Sequence, residues 1–188
     1  MIRPRLSPAP VALLCVLIYL DTEGFVPPFL LAALLHECAH LLILRCFGCK
    51  PADIQIGLTG AVISTVFKSP VAEFLSTLAG PAANLFLALT FRRLWPAFCL
   101  ANTVLLVYNL LPVYPLDGGR MFRLFFVRLF GQETGEAAVT VLGIGTVCAV
   151  AAVCIYASFA LNYGLFPCLI AAFFVLRLPK TLVKQTNH

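Results

Sequence analysis

Five consecutive residues, His36-Glu37-Cys38-Ala39-His40, combine two metal-ligating imidazoles with a carboxylate. On a helix, positions i and i+4 share a face, so His36 and His40 can reach one metal ion. Glu37 is adjacent to that face and can serve as general base toward water at the metal. Phe25 to Leu44, the run that carries them, is otherwise almost wholly apolar. Ionisable side chains in such a run are costly and signal function. The bland alternative is a pair of polar residues hydrogen-bonded between packed helices. The same spacing also arises by chance in soluble helices, so a third ligand is needed.

Asp117 is the candidate. No other Asp lies between Asp53 and the end of the chain. Asp117 closes the segment Asn109-Leu110-Leu111-Pro112-Val113-Tyr114-Pro115-Leu116-Asp117-Gly118-Gly119-Arg120. Pro112 and Pro115 remove backbone donors and stop a helix, and Gly118-Gly119 permits a sharp turn. Catalytic zinc keeps three protein ligands and one open position, which His36, His40 and Asp117 would satisfy. Taken alone, the segment also fits an ordinary Pro/Gly loop with a turn aspartate.

The elements that must position these groups belong to a membrane. Of 188 residues, 61% are hydrophobic and 11% charged, against about 45–50% and about 25% in soluble domains. A soluble globule of this size cannot hide that much apolar side chain. Disordered, collagenous, coiled-coil and nucleic-acid-binding classes are excluded on the same grounds. The +5 net charge reads as basic flanks of membrane spans, not as a nucleic-acid surface.

Apolar runs predict spans over Leu6 to Leu20, Phe25 to Leu44, Val71 to Phe91, Leu94 to Pro112, Ala137 to Leu161 and Tyr163 to Leu176. The first resembles a signal peptide but lacks a small-residue cleavage site, so an uncleaved segment is expected. Ala52 to Phe67 alternates and is β-branched, which suggests strands or a re-entrant loop packed on protein. Gly119 to Phe130 sets Arg120, Arg123 and Arg128 among Phe and Leu, as in a helix lying in the interface. The expected fold class is therefore all-α polytopic, with about six transmembrane helices and a small re-entrant β or loop segment after the histidine helix.

With both termini in the cytoplasm, every Lys and Arg except Arg92 and Arg93 falls inside, which favours that orientation. The eight cysteines sit mostly in apolar runs and read as small buried hydrophobes, not a disulfide framework. Cys46-Phe47-Gly48-Cys49 has no second pair to complete a zinc site.

Together the two motifs resemble the site-2 protease family of intramembrane zinc metalloproteases, and most closely its compact bacterial branch. That family pairs HExxH with N-x-x-P-x-x-P-L-D-G, complete here from Asn109 to Gly118. A third family feature, Gly-Pro-x-x-Asn, stands at Gly80 to Asn84. The resemblance covers roughly residues 25 to 130. It implies that His36, His40 and Asp117 bind one Zn2+, that Glu37 is catalytic base and acid, and that Asn109 lines the site and steadies the oxyanion. Asn84 is read either as a substrate contact or as a helix–helix hydrogen bond. The implied partners are a membrane-embedded protein substrate, membrane lipid and a regulatory membrane protein. The substrate classes implied are sigma or anti-sigma factors and signal-peptide remnants.

The whole chain, 1–188, is expected to be one integral membrane domain without the PDZ insertion or nucleotide-sensing domain of larger members. A metal transporter and a non-catalytic scaffold are the competing readings. The first needs a ligand path across the membrane, and the second has no chemical need of Glu37.

Overall fold

The computed structural model describes residues 5–6, 18–19, 21–49, 51–57, 60–65, 67–160 and 172, with backbone alone for the strands. Five helices and a small sheet make up the described elements. Two compact units result, 1–108 and 109–188.

In the first unit, α1 spans Val26–Cys46. Its start is fixed by Asp21, whose carboxylate accepts from the N–H of Phe25 at 2.9 Å and of Val26 at 2.7 Å. Pro27 and Pro28 follow, where missing donors cost nothing. Its end is a Schellman turn: Gly48, at φ +63°, donates to Arg45 O, and Cys49 N donates to Leu44 O, both at 2.9 Å. Cys49 then packs on Leu44 and Ala72. That contact gives Cys49 a structural role and leaves Cys46 exposed.

The chain next forms β2, Pro51–Gly57, antiparallel to β3, Gly60–Thr65, in register from Ile54 opposite Ile63 to Gly57 opposite Gly60. A two-residue β1, Arg5–Leu6, pairs in parallel with Gln55 and Ile56, so the sheet order is β1-β2-β3. The alternating stretch after the histidine helix is therefore a hairpin.

Helix α2 spans Pro70–Phe91. Ser69 caps it, its hydroxyl accepting from Ala72 N at 3.1 Å, which satisfies one of the orphan donors of the first turn. Pro81 sits inside the helix. It lacks the N–H that would reach Thr77 O, yet the helix continues through it. Helix α3, Pro96–Leu110, packs Phe98, Ala101 and Leu105 on Ala32 of α1.

The second unit holds α4, Asp117–Phe130, and α5, Gln132–Phe159. Gly131, at φ +81°, separates them, and Arg123 bridges to Glu136 at 2.7 Å. Helix α4 is the arginine-bearing amphipathic helix expected from Gly119 to Phe130, begun two residues earlier.

Three helices, α1, α2 and α5, are long and apolar enough to cross a membrane. Each exposes large apolar side chains, such as Leu34 and Leu42, Phe86 and Leu89, and Val141 and Phe159. Water would penalise such faces and lipid does not. Helix α3, with 15 residues, rises about 22 Å against a hydrocarbon core of about 30 Å. The fourth expected span is therefore cut short, because Pro96 starts it late and the Pro112-Pro115 segment ends it early. The first and sixth expected spans lie almost wholly outside the described residues.

Candidate metal centre

In the first unit, helical spacing brings the two imidazoles together as the sequence implies. His36 Nε2 and His40 Nε2 are 3.1 Å apart, and the rings meet edge to face. Two Zn–N bonds of about 2.0–2.1 Å at a tetrahedral angle put their nitrogens about 3.3 Å apart. The pair thus fits a shared ion. His36 is buried, while Glu37 and His40 are half-buried beside it; Cys38 is exposed on another face.

Helix α2 supplies a partner to each ring. His40 Nδ1 lies 2.6 Å from the carbonyl of Ser76. That oxygen only accepts, so the His40 proton sits on Nδ1 and Nε2 presents a lone pair, the tautomer a metal ligand needs. His36 Nδ1 lies 3.0 Å from Asn84 Nδ2. Asn84 has no exposed surface. Of its two readings, the structure contains the interhelical hydrogen bond, and the partner is a histidine of the candidate site.

Gly80 lies between these two contacts. A Cβ there would collide with His40 Nε2 and stand 2.5 Å from His36 Cε1. Only a hydrogen lets α2 pass this close to the rings. The Gly-Pro-x-x-Asn stretch thus supplies space at its first residue and a hydrogen bond at its last. Sequence reasoning noticed the stretch and missed the role of Gly80. It also missed the Ser76 carbonyl, for which no side-chain pattern gives a signal.

In the second unit, Asn109 is half-buried, at the end of α3. Residues 111–116 leave the helix, with Val113 N donating to Leu111 O and Leu116 N to Val113 O. Asp117 opens α4 and is 8% exposed. A carboxylate at that position faces the positive end of the helix dipole. Gly118 and Gly119 are not a turn, as expected from sequence, but part of the first turn of α4. Their use is space: a Cβ on Gly118 would collide with Leu110 O, and one on Gly119 would stand 2.6 Å from Tyr114 N.

Comparison with known proteins follows the same lines. Residues 89–152 match peptidase family M50. Over an alignment 123 residues long, the chain is 36% identical to Rip3, a protein named as a zinc metalloprotease, from two strains of Mycobacterium tuberculosis. That alignment covers 55% of this chain and 31% of the relative, so the chain spans about a third of the length of the curated relatives it matches. The fold is similar to that of the site-2 protease from Methanocaldococcus jannaschii, with a TM-score of 0.69 at 18% identity, over 96% of this chain and 90% of that one. The chain is thus similar to peptidase family M50 over residues 89–152 and to a site-2 protease in its fold.

Proposed function

We propose that the chain is an intramembrane zinc metalloendopeptidase that cuts a transmembrane or membrane-associated segment of a protein substrate. The observation that carries this reading is the convergence of the His36 and His40 Nε2 atoms, on an apolar helix that also holds Glu37. Asp117 is the third ligand, and one zinc is held per chain. The three donors are of the types zinc prefers in catalytic sites and are buried, half-buried and buried. Bound zinc would supply Lewis acidity toward water and the scissile carbonyl.

The residues of the chain do the rest. Glu37 takes the proton from the attacking water on its carboxylate and returns it to the leaving amine. Asn109 donates from its amide to the oxygen that gains charge. A helical substrate must unwind before attack, because its carbonyls are already hydrogen-bonded. The β2–β3 hairpin is re-entrant in this reading and receives the unwound strand by edge pairing. The chain crosses the membrane about six times, with both termini cytoplasmic and the site open to the cytoplasm, as the distribution of Lys and Arg supports. The arginines of α4 rest against anionic lipid. Sigma or anti-sigma factors and signal-peptide remnants are the substrate classes, in regulated proteolysis under a membrane partner.

The test is a comparison of native-host membrane proteomes from wild type and Glu37→Gln, with zinc counted on both purified chains. We expect one or a few single-span proteins to accumulate uncut in the variant. Zinc content stays equal, and cleavage of such a protein by purified chain drops about 10²–10⁴-fold. Equal cleavage by the two chains, or a wild type that binds no zinc, overturns the proposal.

A further inference from the structure

Helix α5 carries none of the residues assigned a role above, yet its buried stripe reaches the segment that carries Asp117. Gly135, Val139, Gly143 and Val147 are buried and spaced four residues apart, so they follow one another along α5. The stripe meets backbone at two points. A Cβ on Gly135 would stand 2.6 Å from Val127 N and Cα, in α4. A Cβ on Gly143 would stand 3.2 Å from the carbonyl oxygen of Pro112 and 3.8 Å from Val113 Cα. Asp117 lies between these points in the chain, after Pro112 and before Val127.

The stretch from Pro112 to Asp117 transmits a shift and has little room to absorb one. Val113 and Leu116 are buried. Leu116 N donates to Val113 O and Arg120 N to Leu116 O, so the stretch is hydrogen-bonded into the first turn of α4. On the α4 side there is no gap either, because a Cβ on Gly119 would stand 2.6 Å from Val113 C and Tyr114 N. Pro112 and Pro115 further restrict the backbone torsions. A push on the Pro112 carbonyl therefore moves the stretch and the start of α4 together.

We propose that Gly143 is a positioning residue: its bare backbone lets α5 back the Pro112 carbonyl, and that contact sets where the Asp117 carboxylate stands. The inference rests on the reading of Asp117 as a metal ligand. Gly143 touches neither metal nor substrate and acts through the segment. At 3.2 Å a methyl group is tighter than ordinary contact, so Gly143→Ala displaces the segment by a few tenths of an ångström without breaking the packing. Gly145 is the internal control. Nothing lies within 4 Å of a Cβ built there, so the same substitution adds a methyl group to the same helix without a push.

The experiment uses the full chain in lipid bilayers, with zinc alone as the probe and affinity read by competition with a chromophoric chelator. Gly143→Ala should weaken zinc binding about 10-fold and the bulkier Gly143→Val about 100-fold, while Gly145→Ala matches wild type. The zinc-free melting temperature of Gly143→Ala should stay close to wild type, because the helix preference of Ala over Gly offsets the crowding. A merely structural role gives the reverse, with lower melting and unchanged affinity in the folded chain. The path is tested by a double-variant cycle. In an Asp117→Asn background, which has already lost the carboxylate, Gly143→Ala should weaken zinc binding no further. Wild-type affinity in a folded Gly143→Ala, an equal loss in Gly145→Ala, or an undiminished loss in the Asp117→Asn background each overturns the proposal. Failure of the zinc reading is seen in the wild type itself, which then binds no zinc. Failure of the protease reading leaves the affinity pattern intact while no peptide is cut.

Discussion

The two motifs are held in place by opposite means. Around α1 and α2, regular helices present His36 and His40, and what crowds them is side chain against glycine: the rings fill the space at Gly80. From Asn109 to Gly119, regular structure is broken, and what crowds Asp117's neighbours is backbone against glycine: Gly118 lies on Leu110 and Gly119 on Val113 and Tyr114. Imidazole rings can swing aside, whereas a carbonyl in a packed segment cannot. The first region therefore protects a geometry, and the second protects a fold.

Two alanine substitutions break this comparison if it is wrong. Gly118→Ala has the larger expected effect. Its methyl group meets backbone, so the zinc-free chain should lose about 1–3 kcal/mol of stability, read as a lower melting temperature, and cleavage should fall about 100-fold or more. Gly80→Ala should melt close to wild type, because the rings yield. Its zinc affinity and its cleavage should each fall about 100-fold, as expected when a reacting group moves by about 1 Å. Equal melting losses in the two variants would erase the distinction drawn here.

A smaller substitution sharpens it. Ser69→Ala removes the cap of α2 at Ala72 N and should cost about 1 kcal/mol. The cap is about three turns before Gly80, so zinc affinity measured on the folded chain should be unchanged. A loss of affinity would mean that the rings depend on the whole helix and not on the local gap.

Much of this molecule is legible from periodicity. Position i and i+4 is a local relation, so His36 facing His40 is settled by the helix alone. The apolar runs that become α1, α2 and α5 are legible because lipid demands length and apolarity together. Asp117 stands out by scarcity and by the prolines before it. The alternation at Ile54 and Ile56 pointed to strands, and the backbone forms them at β2 and β3. Boundaries were less legible. α3 is shorter than its apolar run, and Gly118-Gly119 reads as a turn although both residues are helical.

By itself, then, the sequence determined which residues could ligate, that the two histidines lie in an apolar helix, and which family they resemble. The tertiary structure decided what each imidazole leans on. Ser76 and Asn84 are 36 and 48 residues from their histidines. No local rule says which turn of α2 will lie over α1. That register is set by packing along the whole interface, with Gly80 as the gap that allows the approach, and the partner of each ring follows from the register.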